Sequence, residues 1–150
     1  MIPRRLLFAA TLAVATATAA APRAETHVVQ CTTDSGFEPR FIPAEKTVLP
    51  GDTVRWVNTD SFLLDHGTVS GTGSADPLAG AIWDSGVLHS GDWFEMTFNE
   101  VGVFEYFSPP HEYEGMTGTI RVGTATGTDG EVEQSTWGKI KEQFNDLLPR

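Results

Sequence analysis

The chain is 150 residues long, with ten basic against twenty acidic side chains, a formal charge of −10 and a single cysteine. That charge argues against nucleic acid, whose binders set positive charge against phosphate. One cysteine rules out an internal disulfide framework and any multi-cysteine zinc or iron–sulfur site, while 40% hydrophobic and 10% aromatic residues suffice for one core of ordinary size.

Residues 1–24 read as an export signal. Arg4 and Arg5 precede an apolar run from Leu6 to Ala21, and Ala19-Ala20-Ala21 offers small residues for cleavage. A membrane anchor is the competing reading, but the run is short and rich in weakly lipophilic alanine and threonine. Loss of Arg4, Arg5 and Arg23 removes no acid and takes the charge from −10 to −13. The product is expected to be periplasmic or secreted, in an oxidising compartment, with no integral membrane segment left after cleavage.

From about residue 27 to 122 the pattern is one of short alternating strands separated by turns. His27-Val28-Val29-Gln30-Cys31 reads as the first strand, and Lys46-Thr47-Val48-Leu49 runs into the turn tripeptide Pro50-Gly51-Asp52. In Thr53–Asn58, Val54 and Trp56 share one face while Thr53 and Arg55 turn away. Phe94, Met96 and Phe98 alternate with Glu95 and Thr97; Phe104 and Tyr106 follow Gly102; Ile120 and Val122 alternate with Thr119 and Arg121. Strands at this spacing, without helices between them, indicate an all-β antiparallel sandwich or barrel over residues 25–123. Gly67 to Ala81 is glycine- and serine-rich and reads as a long loop.

Residues 124–134 have the composition of a linker. Over 135–150, Trp137, Ile140, Phe144 and Leu147 or Leu148 recur at helical spacing, with Ser135 or Thr136 as cap and Pro149 as stop. Such an amphipathic helix packs on its own sandwich or docks a partner or membrane surface.

The stretch from Gly102 to Gly118 carries the chemistry. His111 and Met116 lie five residues apart on one short loop between two strands, and a second histidine, His66, directly precedes another strand. Two imidazoles and a thioether suit copper, Cu(I) in particular, better than magnesium or calcium, which prefer oxygen.

In these features the chain resembles the cupredoxins, the plastocyanin, pseudoazurin and azurin group of small copper proteins. The match runs in order through Pro50-Gly51-Asp52-Thr-Val-Arg-Trp56-Val-Asn58, His66 before Thr68-Val69, Trp83-Asp-Ser-Gly86-Val-Leu with Gly91 and Phe98, and the Gly102-to-Gly118 hairpin. The resemblance implies an eight-stranded Greek-key β-sandwich with one mononuclear copper site at one end. It implies metal ligation by His66, His111 and Met116, and it places Ser108 where the family has its ligand cysteine.

A serine hydroxyl is a hard, largely protonated oxygen and does not replace the thiolate that gives blue-copper sites their colour. Copper here is therefore expected to be non-blue, with Ser108 a doubtful ligand and the His2Met set favouring Cu(I). Cys31 lies in the predicted first strand and reads as a buried thiol, with intermolecular pairing as the competing account. His27 and His89 read as solvated surface residues. Glu112 and Glu114 beside His111 are either solvated or steer a basic redox or copper-handling partner, and Asp65 and Glu112 are candidate oxygen donors to a non-blue site.

Two functions follow. One is an exported copper-binding protein for copper carriage or one-electron transfer. The other is a metal-free interaction module acting through its acidic surface and C-terminal helix. No serine–histidine–acid order stands out, so enzymatic activity is not expected beyond what an open copper position could support.

Overall fold

The computed structural model describes residues 23–123. The leader expected over 1–24 falls outside them except for its last two residues, and the linker at 124–134 and helix at 135–150 lie wholly outside. Eight strands are present: β1 Thr26–Thr33, β2 Pro39–Ile42, β3 Glu45–Val48, β4 Asp52–Asn58, β5 Val69–Ser70, β6 Trp93–Phe98, β7 Gly102–Phe107 and β8 Thr117–Val122. They form two four-stranded sheets, ordered β2-β1-β4-β6 and β3-β8-β7-β5. The chain changes sheet at most connections, which makes the sandwich of the Greek-key kind.

Alternation decides which side chains enter the space between the sheets. In β4, Val54 and Trp56 are fully buried whereas Thr53, Arg55 and Val57 are only half-buried; in β8, Gly118, Ile120 and Val122 point inward. Pairing is antiparallel for β1–β2, β4–β6, β5–β7 and β7–β8. It is parallel for β1–β4, with Val29 opposite Trp56, and for β3–β8, with Val48 opposite Val122. The sandwich expected from the sequence is present, and its mainly antiparallel pairing is interrupted at these two seams, each joining strands with other strands between them in sequence. The four-residue β2, absent from the sequence reading, pairs Phe41 with Cys31.

Aromatic rings fill the centre. Trp56 stacks on Trp83 at 5.5 Å and meets Tyr106 edge-on at 5.4 Å, arrangements that add to the area such rings bury. A Cβ at Gly118 would overlap the Tyr106 ring, so β8 can carry no larger residue there. Cys31 is fully buried in the same cluster, and burial pushes its thiol up to about 12. The thiol therefore stays protonated and packs as a small apolar side chain. Among the described residues no helix is long and apolar enough to cross a membrane.

Parallel β1 and β4 run to the same end of the sandwich, where Asn58 stands opposite Cys31, and the β7–β8 turn meets the loop after β4 at that end. Loops 59–68 and 108–116 therefore meet there.

Candidate functional site

The turn between β7 and β8 is short and closed by backbone hydrogen bonds. Pro109–His111 form one turn of 3-10 helix, with proline supplying fixed φ angles at its start. The His111 amide donates to the Ser108 carbonyl at 3.0 Å, the Met116 amide to the His111 carbonyl at 3.1 Å, and the Ser108 amide to the Met116 carbonyl at 3.0 Å. Gly115, at φ 80°, supplies the left-handed residue needed to return the chain. The result ties the backbone of Ser108, His111 and Met116 into one closed turn.

His66 meets that turn from the other loop. Its amide donates to the Leu88 carbonyl at 3.1 Å and its carbonyl accepts from the Leu88 amide at 2.8 Å, so the backbone is clamped on both sides. The next residue ties the two segments together, because the Gly67 amide donates to Ser108 Oγ at 3.2 Å. The His66 and His111 rings then stand 4.9 Å apart. His66 and Ser108 are fully buried and Met116 nearly so, while His111 is half-buried.

The hydrogen bonds define the tautomers. His66 Nε2 is 3.0 Å from the Asp60 carboxylate, and His111 Nε2 is 3.1 Å from the Asp65 carbonyl. Both partners can only accept, so each Nε2 carries the hydrogen and each Nδ1 of the neutral ring keeps a lone pair. Both Nδ1 atoms are buried and have no hydrogen-bond partner. Burial pulls the His66 pKa below its ordinary value, against the opposing pull of Asp60, so the ring is neutral near pH 7.

Two buried nitrogens left without partners are costly unless something binds them. Buried Ser108 and Met116 belong to the same closed turn as His111, and among the described residues no group of three or more histidine, cysteine, aspartate or glutamate side chains could hold a metal. Two imidazole nitrogens with a thioether on the same turn, and no anionic side chain grouped with them, are a combination whose chemistry suits copper.

Other residues singled out in the sequence fall differently. Asp65 turns its carboxylate to exposed His89, 2.7 Å from Nδ1, and offers the pocket only its backbone carbonyl. The Glu112 carboxylate is neither free nor a donor to the pocket: it accepts from the Ser74 amide at 2.8 Å and from the Ser74 hydroxyl. His27 is no solvated terminus either, since its Nε2 lies 3.0 Å from buried Asp52. Tyr113 is fully exposed, and Phe37, Phe62 and Leu63 add an apolar rim at this end.

Asp60 is the residue whose role the sequence did not reveal. It is fully buried with His66, and its carboxylate also accepts from the Thr33 hydroxyl at 2.5 Å and the Phe62 amide at 2.7 Å. Burial works against its charge, but these donors together with the His66 ring hold the carboxyl below its ordinary value. The one signal was the Asn58-Thr59-Asp60 segment at the strand end, where such residues organise turns.

An eight-stranded sandwich with two unpartnered imidazole nitrogens, a thioether and a hydroxyl at one end has the architecture of a cupredoxin. The sequence model for "Copper binding proteins, plastocyanin/azurin family" matches residues 27–123, and the chain belongs to that family. Plastocyanin from Nostoc punctiforme is 33% identical over 126 residues, covering 78% of this chain and 86% of its own. Plastocyanin from Scenedesmus fuscus is 31% identical over 86 residues, covering 55% and 85%. A purple cupredoxin from Nitrosopumilus maritimus superposes with a TM-score of 0.54 at 25% identity, covering 65% of this chain and 99% of its own.

Proposed function

We propose that this chain is an exported, non-enzymatic copper-binding protein that holds one copper through His66 Nδ1, His111 Nδ1 and Met116, without a thiolate. Its role is copper carriage or one-electron transfer. The observation that carries this reading is the pair of buried, unpartnered Nδ1 atoms on rings 4.9 Å apart, with Met116 buried at the end of the same closed turn as His111. Bound copper would supply a centre able to alternate between Cu(I) and Cu(II). The protein's part is to orient the imidazoles, keep water from the Met116 side and hold the soft donor set that favours Cu(I). Ser108, whose Oγ already accepts from Gly67, stands where the family carries cysteine and leaves the site non-blue. A basic redox or copper-handling protein is the partner that the acidic chain suits.

The test is metal analysis and the visible spectrum of protein purified from its native source. One copper per chain with no strong blue band is expected. Protein that is metal-free and does not take up copper points instead to an interaction module that has kept the sandwich and lost the chemistry. Ser108→Cys extends the test, since restoring the thiolate should produce an intense visible band on copper addition. A colourless, copper-free Ser108→Cys protein overturns the ligand assignment.

A further inference from the structure

The proposed donors, two imidazoles and a thioether, are all neutral, and so is the hydroxyl of Ser108. A cation entering a buried site meets no ligand charge, and an uncompensated buried charge is expensive. A buried carboxylate is nevertheless hydrogen-bonded to the back of one ligand ring. Asp60 is fully buried, as is His66, and the two are joined at 3.0 Å through Nε2.

Asp60 is fixed from several sides. Thr33 and Phe62 donate to its carboxylate, and its own amide donates to Asn58 Oδ1 at 2.9 Å. Asn58 Nδ2 in turn donates to the Leu64 and Leu88 carbonyls, each at 2.8 Å, and Leu88 also clamps the His66 backbone. The carboxylate cannot swing to solvent without dismantling the loop that carries His66. Loop organisation alone would need only a neutral acceptor; a charged one, buried and shared with an imidazole whose other nitrogen is unpartnered, calls for a positive charge on the far side of the ring.

We propose that Asp60 is the counter-charge and positioning residue of this pocket: it fixes the Nε2–H tautomer of His66 and supplies, through that ring, the negative charge that a ligand thiolate supplies elsewhere in the family. The inference rests on the copper reading above. With one negative charge and only neutral donors, the pocket balances a monovalent soft cation. Cu(I) is the ion meant, and Ag(I) is its redox-inert probe.

A counter-charge and a merely structural residue predict different outcomes. Attraction to one carboxylate is greater for a divalent than for a monovalent ion, so removing the charge weakens Cu(II) more than Cu(I) and raises the reduction potential. Asp60→Asn is expected to weaken Ag(I) and Cu(I) binding roughly 10- to 100-fold, the usual effect of losing such an outer partner. If Cu(II) loses the square of that factor, the potential rises by about 60 to 120 mV, at about 59 mV per tenfold for one electron. Equal losses for the two oxidation states, with the potential unchanged, reduce Asp60 to a structural residue and overturn the proposal, as does unchanged binding. Native protein that takes up neither ion overturns the copper reading itself.

Two further measurements stand even if Asp60→Asn does not fold. Thr33→Val leaves the carboxylate charged but removes a donor to it, which strengthens its hold on His66, so the potential should fall; no change or a rise counts against the proposal. Nitrogen NMR of the native, metal-free protein should find His66 protonated at Nε2 and bare at Nδ1, and the opposite tautomer overturns the positioning role.

Discussion

The two histidines of the pocket are held in opposite ways. His66 is fully buried, its backbone is clamped to Leu88 by two hydrogen bonds, and a buried carboxylate stands behind its ring. His111 is half-buried on a one-turn 3-10 segment, with only the Asp65 backbone carbonyl behind its ring. One wall of the pocket is thus built into the core and carries charge, while the other is a tethered loop at the surface. On the proposed ligand assignment, a metal would be gripped from the His66 side and exchanged from the His111 side, the division of labour that carriage or transfer would need.

The largest predicted difference concerns folding without metal. His66→Ala leaves a buried cavity and strips Asp60 of one donor, which should cost about 3 kcal/mol or more of stability. His111→Ala removes a half-buried ring with one hydrogen bond to a backbone carbonyl and should cost about 1 kcal/mol. Urea denaturation of the two metal-free variants measures the gap. Equal costs would break the comparison between a built-in and a tethered histidine. Copper uptake should be lost in both.

Much of this arrangement could be read from the chain, and the parts that could not share a physical cause. Strands with inward alternation, such as Thr53–Asn58 and Thr117–Val122, announce themselves locally. His111, Met116 and Ser108 sit on one tight turn, so their proximity is a matter of short-range spacing. The parallel β1–β4 and β3–β8 seams depend on crossovers between sheets, which no local pattern encodes. Asp60 meets Thr33 across 27 residues, and Glu112 meets Ser74 across 38. An acidic residue in a loop looks solvated until the partner brought to it by the fold is known.

The Glu112–Ser74 contact sharpens the comparison further, because it tethers the loop carrying His111. Gly73 makes the contact possible: at φ 149°, a Cβ there would lie 2.5 Å from Glu112 Oε1. Glu112→Ala should lower stability by less than about 1 kcal/mol, since the contact is exposed. It should nevertheless speed copper loss to a chelator several-fold, by freeing the His111 side alone. Glu112→Gln should restore the native rate, because its amide can accept from the Ser74 amide and donate to the Ser74 hydroxyl. Release from Glu112→Ala at the native rate would mean that the loop is held by its own backbone bonds.

The smallest effect belongs to His89, which reaches the pocket only through Asp65. The Asp65 carboxylate hydrogen-bonds the exposed ring and raises its pKa above 6.5. The sign follows from linkage: a group whose pKa is higher in the folded state stabilises fully below its unfolded value and loses that contribution as pH rises through the folded value. Native protein should therefore gain slightly over His89→Gln below about pH 6.5 and converge with it in alkaline solution. Because both side chains are exposed, the gain should fade in about 0.5 M salt. Copper affinity should be the same in the two proteins at every pH, since His111 donates to the Asp65 backbone rather than to its carboxylate. A His89→Gln protein that loses copper more readily only at low pH would show that the surface pair restrains the tethered histidine after all.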